Sequence, residues 1–472
     1  MADNQATAPI YDALIRHIKD SRGNFHVPGH KQGQAFDTEV LSLFGRILPM
    51  DMTEVGELDD LHQPTGVIRE AQELAAQAFE AEETFFLTGG TTAGNLALVL
   101  SCCRRGERLI VQRDSHQSVF NGMALAGVRP VYLSGRSDPM TGGLNPIKPE
   151  DLEEAIRRYP DSKGVFITSP DYFGRVQPVA ELAAICRRHG LPFLVDEAHG
   201  AHFSFHPELP DAACHAGADA AVQSTHKMLP AMTMASMLHL KGGRVNREKV
   251  ARWLRVIQSS SPSYPLMASL DLARRWMVQK GQGALSELLS SLSLLRVKIR
   301  GLSYLEEVTS DDPLKLSIRA KKSVSGYRLL DWFGKRGIHM ELADHKRVLA
   351  VFSVGTSQEE IGLLVKLLIQ LDKEVIHMPG EKPVEGLDVP VISESRLALG
   401  EGSSAWSDIL LEGAVGKVAA EMVIPYPPGI PLVLPGEIFT AESIRWIQHI
   451  LDNGGRVRGI RPGFPHKVYV IQ

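Results

Sequence analysis

Leu194-Val195-Asp196-Glu197-Ala198-His199 and, further on, Ser224-Thr225-His226-Lys227 decide how this chain is read. The first stretch is an apolar run that ends in a carboxylate. The second sets a lysine among small hydroxyl residues and a histidine. A buried strand ending in Asp196 holds its carboxylate on a rigid element. Together they suit pyridoxal phosphate (PLP), which takes a lysine for its Schiff base and a carboxylate for its pyridinium nitrogen. Alone, each would read as a surface lysine or a strand-end aspartate. The pairing counts because a third element lies upstream in the right order.

That element is Phe85-Phe86-Leu87-Thr88-Gly89-Gly90-Thr91-Thr92-Ala93-Gly94-Asn95, running into the apolar Leu96–Leu100. It reads as a strand, a glycine turn and a helix start. Backbone N–H groups there, with Gly90 in the turn and the Thr91 and Thr92 hydroxyls beside it, form an anion site for a phosphate. The run is neither a P-loop nor a GxGxxG fingerprint. His116 follows the strand-like Arg108–Gln112 and is placed to stack on a pyridine ring, although a lone histidine is more often a loop residue.

These residues resemble the fold-type-I PLP enzymes, and among them the Orn/Lys/Arg decarboxylase family (class I), along nearly the whole chain. The resemblance is carried by Phe25-His26-Val27-Pro28-Gly29-His30-Lys31, Asp51-Met52-Thr53-Glu54, Leu58-Asp59-Asp60-Leu61-His62 and Asp196-Glu197-Ala198-His199-Gly200-Ala201-His202. Ser224-Thr225-His226-Lys227, the proline-rich Pro425-Tyr426-Pro427-Pro428-Gly429-Ile430-Pro431-Leu432 and Pro435-Gly436-Glu437 complete it. It implies an aspartate aminotransferase-like large domain with a mostly parallel sheet, plus a smaller C-terminal α/β domain. It implies that Lys227 carries PLP, Asp196 meets the pyridinium nitrogen, Ala198 packs on the ring and His116 stacks opposite. Thr91, Thr92, Ser224 and His226 would hold the phosphate, with Gly90 and His199 completing the set. Lys227 or His226 would return a proton to the substrate's α-carbon. The resemblance also implies a homodimer or higher assembly with shared sites, Ser259–Tyr264 reaching the partner's cofactor. Longer family members have a further N-terminal domain, and the chain reads as the short form. Pro230 and Met234 depart from the family pattern around the lysine, where a small residue and a glutamine are usual.

The expected reaction is decarboxylation of a basic amino acid, arginine, lysine or ornithine with a lean to arginine, as in polyamine synthesis. Glu54, Glu57, Asp59, Asp60 and Glu437 are the acidic candidates for reading its side chain. Two rivals stand beside this. One is another PLP reaction, such as aminotransfer or a lyase reaction, with Arg396 as a carboxylate clamp. The other is a protein without that chemistry: a non-catalytic PLP binder, or a metalloenzyme built on the histidines. His26 and His30 have HxxxH spacing, but Pro28 and Gly29 between them break the helix that such a site needs, so no metal is expected.

At 472 residues, 44% hydrophobic and with a net charge of −4, the chain has core for several domains and no electrostatic case for nucleic acid. Four cysteines make no disulfide framework and read as buried thiols. With neither a signal peptide nor an apolar run long enough to span a membrane, a cytoplasmic protein is expected. Expected domains are an N-terminal segment 1–58, a PLP-binding large domain 59–305 including a linker helix from Leu266 to about Leu302, and a small domain 306–472. The first fifty or so residues are expected to wrap a partner. Strands are expected at Thr84–Thr88, Arg108–Gln112, Arg129–Leu133, Gly164–Thr168, Leu191–Asp196, Ala220–Ser224 and Ala235–Leu240, with helices between most of them. That alternation argues for a parallel sheet with ligands at the strands' carboxyl ends.

Overall fold

A computed structural model describes residues 2–138, 140–141, 143–380, 390–395, 398–399, 406–426, 429–461, 463 and 465–471. Short apolar runs bounded by turn residues form β1 (Glu83–Leu87), β2 (Arg108–Gln112), β3 (Arg129–Leu133), β4 (Val165–Thr168), β5 (Phe193–Asp196), β6 (Ala220–Gln223) and β7 (Ser236–Leu240). Each falls within two residues of its expected bounds. Every residue of β5, β6 and β7 is buried, the pattern of strands covered on both faces.

The chain forms two compact units, Met1–Ser101 with Leu194–Ser286, and Cys102–Phe193 with Glu287–Gln472. In the first, β6 runs parallel to β5 and antiparallel to β7, which pairs antiparallel with β1. In the second, β2 runs parallel to both β3 and β4. This unit also holds an antiparallel sheet of β8 (Leu305–Val308), β9 (Lys315–Ala320), β10 (Leu342–Ala343) and β11 (Arg347–Val351), in the order β10-β11-β9-β8. Its β12 (Ile392–Glu394) pairs antiparallel with β3. Near the C-terminus Trp406–Leu410 and Val418–Ala419 pair with Lys467–Ile471 over a core of Val423, Phe439, Ile447 and Val468.

The expected linker helix is interrupted. Helix Tyr264–Trp276 passes through a π-helical turn, Met277–Gly281, into helix Gln282–Arg300. The first twenty residues, the start of the segment expected to wrap a partner, pack on their own chain. Ile10 N donates to Asp271 Oδ2 at 3.0 Å, and Arg274 donates to the carbonyls of Gln5 and Thr7, both at 2.7 Å. Cys103, Cys186 and Cys214 are buried thiols outside any disulfide, while Cys102 is half-buried. Among the described residues no helix is long and apolar enough to cross a membrane.

Candidate active site

Helix Gly90–Cys102 follows β1 and opens with Gly90, Thr91 and Thr92. A Cβ on Gly94 would lie 2.6 Å from Val222 Cγ1 and 2.9 Å from Leu87 Cδ1, so glycine is what seats this helix on β6. That close approach brings Thr91 Oγ1 to 3.2 Å from Ser224 Oγ. Two hydroxyls from separate elements thus meet at a helix N-terminus, a donor set that fits a phosphate. One turn along the helix, buried Asn95 donates from Nδ2 to Asp196 Oδ2 at 2.8 Å. The other carboxylate oxygen of Asp196 accepts from Ala198 N at 3.1 Å. Asp196 is 2% exposed and therefore held by both oxygens at the end of β5. Asn95 gained no role from the sequence; its place four residues after Thr91, on the same helical face, was the available signal.

Ser224 lies just past β6 and leads into the short turn Thr225–Met228, which presents His226 and Lys227. Lys227 Nζ lies 3.0 Å from Nε2 of buried His199. His226 Nδ1 is 2.9 Å from the carbonyl of Ala235. A carbonyl can only accept, so Nδ1 carries the hydrogen and Nε2 is the acceptor. Burial pushes the His226 pKa below its ordinary value, with the Lys227 charge adding to the effect. Met234 adopts φ +82° in the segment after the lysine, a conformation that non-glycine residues rarely take.

The first unit thus brings Gly90, Thr91, Thr92, Asp196, Ala198, His199, Ser224, His226 and Lys227 together around three strand ends. A buried, doubly held carboxylate, a lysine on a rigid turn and a hydroxyl-lined helix start fit PLP. His116 belongs to the second unit, where it caps helix Gln117–Ala126 and has Nδ1 2.8 Å from Ser118 Oγ. The proline-rich motif explains itself there. Gly429 has φ +90°, its carbonyl accepts from Gln117 N, and a Cβ on it would lie 3.3 Å from the His116 ring.

Two of the acidic candidates are committed elsewhere. Glu437 accepts from Arg113 Nε and NH2 at 2.9 and 2.7 Å and from Leu434 N at 2.8 Å. Asp59 accepts from the backbone of Thr65, Gly66 and Ile68 at the start of helix Val67–Ala78, which holds its carboxyl below the usual range despite desolvation. Arg396 lies outside the described residues. His30 meets Asp51 Oδ2 at 3.0 Å, and the described residues contain no group of three or more His, Cys, Asp or Glu that could hold a metal ion.

Comparison with known proteins agrees with this geometry. The profile of the "Orn/Lys/Arg decarboxylase, major domain" matches residues 8–310, and that of the "Orn/Lys/Arg decarboxylase, C-terminal domain" matches residues 403–470. The chain is 40% identical to YaaO of Bacillus subtilis (strain 168), a protein described only as uncharacterised, over 96% of each chain. It is 34% identical to an arginine decarboxylase of Halalkalibacterium halodurans, again over 96% of each. Among solved structures, the lysine decarboxylase of Francisella novicida aligns with TM-score 0.84 at 19% identity, covering 99% of this chain and 81% of that one. The fold is therefore that of a fold-type-I PLP enzyme: a large domain with a mostly parallel sheet and a smaller C-terminal α/β domain.

Proposed function

This chain belongs to the Orn/Lys/Arg decarboxylase family, and from that premise we propose that it decarboxylates L-arginine, releasing CO2 and an amine that feeds polyamine synthesis. Membership makes it a PLP-dependent decarboxylase of a basic amino acid. The observation that favours arginine is the 34% identity to an arginine decarboxylase over nearly the full length of both chains. With Asp59 and Glu437 committed to structure, Glu54, Glu57 and Asp60 are the acidic candidates left for the guanidinium. Glu54 is held above its ordinary pKa by desolvation and by Asp60, so a bound cation would relieve it.

When bound, PLP supplies the electron sink for the breaking bond to the α-carboxylate. Lys227 Nζ is assigned as its attachment point, Asp196 as the partner of its ring nitrogen, and Thr91, Thr92 and Ser224 as its phosphate contacts. His116, its Nδ1 held by Ser118, is assigned the stacking role. One proton must replace CO2 at the α-carbon. A neutral His226 whose only hydrogen is given to Ala235 O cannot supply it, so we assign that proton to Lys227, with His199 Nε2 holding its ammonium while substrate occupies the cofactor. His226 then serves as an acceptor at the cofactor.

We propose the division 1–58, 59–305 and 306–472, a last boundary supported by the end of the major-domain match at residue 310. A cytoplasmic homodimer or higher assembly is proposed as well, with Ser259–Tyr264 crossing to the partner. In support, Ser259, Ser260 and Ser261 are exposed, while the Tyr264 hydroxyl anchors the loop to the Leu58 carbonyl at 3.2 Å. The test of substrate is CO2 release by purified enzyme from arginine, lysine and ornithine. Arginine should lead in kcat/KM by at least about tenfold; a lead for either of the others sinks the arginine reading.

A further inference from the structure

Beside Asp196 lies a second buried carboxyl that the chemistry above does not use. Glu197 Oε1 accepts from Ala213 N at 2.7 Å, and Oε2 meets Gln223 Nε2 at 2.8 Å. Gln223 Oε1 is 3.1 Å from His239 Nε2, and His239 Nδ1 is 2.8 Å from the Thr84 hydroxyl. All four side chains are at most 2% exposed. They come from β1 (Thr84), β7 (His239), β6 (Gln223) and the residue after β5. The chain of contacts therefore crosses four successive strands of the first unit and ends next to Asp196.

This chain can run in either direction. In one, the Thr84 hydroxyl donates to His239 Nδ1, His239 Nε2–H donates to Gln223 Oε1, and the Gln223 amide donates to a Glu197 carboxylate. Turning the amide over exchanges its donor and acceptor. A protonated Glu197 then donates to Gln223 Oε1, Gln223 Nε2–H to His239 Nε2, and His239 Nδ1–H to Thr84 Oγ1. Every link survives the reversal, so hydrogen bonding accommodates either protonation state, and charge decides between them. Burial first, and then the Asp196 charge, push Glu197 up to about 8. His239 brings no positive charge, since burial pushes it down to about 3. Beyond it stand the Cys214 thiol, with Lys241 and Asp219 around it, and Asp219 is bound to Arg244.

We propose that Glu197 is a positioning residue for Asp196: tied to Ala213 and to the Gln223–His239–Thr84 chain, which accepts it as a neutral acid, it locks the end of β5 without setting a second negative charge beside the cofactor's carboxylate partner. The proposal rests on Asp196 being that partner, as assigned above.

The test compares thermal midpoints of wild-type and E197Q holoenzyme from about pH 5 to about pH 9. Folded Glu197 binds its proton more tightly than the unfolded chain, where the group titrates near 4.5. Its contribution to stability is thus complete below that value and lost as pH rises through about 8. Gln cannot titrate, so the midpoint of E197Q minus that of wild type should climb with pH and level off above about 9. A flat difference means that Glu197 is a carboxylate throughout, and overturns the proposal. At neutral pH, E197A should lose about tenfold or more in kcat, and E197Q should restore most of it. An E197Q as slow as E197A overturns it equally. Should E197Q fail to fold, infrared difference spectra of wild type across the same pH range should show loss of a protonated-carboxyl band, and absence of that loss is decisive against it. D196N separates the two readings: normal turnover by D196N would remove the role of Asp196 while leaving the E197Q pH profile to speak for Glu197.

Discussion

Two stretches of the first unit use their side chains in opposite ways. At the ends of β1, β5, β6 and β7, buried and half-buried polar groups are paired across elements: Asn95 to Asp196, Thr91 to Ser224, and Thr84 through His239 and Gln223 to Glu197. Between Ser21 and Met50, large apolar groups face outward. Phe25 is 101% exposed and Leu43 83%, and helix Thr38–Phe44 buries no residue. Burying a polar group is costly unless it is paired, so the first stretch has few arrangements open to it. In the second, Phe36 stacks on His30, but exposed groups such as Phe25 and Leu43 leave many arrangements open. The content of a segment thus says less than whether its neighbours answer it.

The contrast can be broken or sharpened experimentally. Lys227→Ala should have the largest effect, abolishing the yellow colour of the holoenzyme and lowering kcat by at least about 10³-fold. A colourless wild-type protein, or a yellow and active K227A, would break the assignment at its centre. Next comes the buried pair Asp271–Arg274, 2.6 Å apart with both side chains wholly buried. Arg274→Ala leaves Asp271 uncompensated and releases the Gln5 and Thr7 carbonyls, and should cost about 3–5 kcal/mol in denaturant unfolding. A cost near zero would mean that the first twenty residues are as loosely held as the thirty that follow. Asn95→Ala removes the side-chain donor to Asp196 and should cost about 1–3 kcal/mol of stability, with a parallel fall in kcat. If kcat holds while stability falls, Asn95 serves the core and not the carboxylate. At the small end, Leu43→Ser should shift monomer stability by no more than about 0.5 kcal/mol. A core-sized loss there would erase the contrast.

Much of the site could be read in one dimension because its chemistry falls at strand ends. Asp196, Ser224 and Lys227 each follow an apolar run, and the glycine turn before Thr91 marks a helix start, so order along the chain already implies a common edge. Glu437 stood among the substrate candidates because a free carboxylate and one clamped by Arg113, far away in sequence, look alike as letters. Asp59 stood there in the same way, since the backbone groups it caps leave no side-chain signature. The N-terminal segment was taken for a single arm because the hydrogen bonds from Arg274 and Asp271 that tie down its first part join residues remote in the chain.

The sequence by itself determined the strand and helix order, the family, and the residues proposed to bind PLP around Asp196 and Lys227. These depend on local periodicity and on residue types at short spacing. Only the tertiary structure decided that Asn95 holds Asp196, that Gly94 must be small to let its helix reach β6, and that Glu197 ends a polar chain begun at Thr84. Each depends on which side chains meet across strands, and a hydrogen bond exists only where two remote positions are brought within about 3 Å.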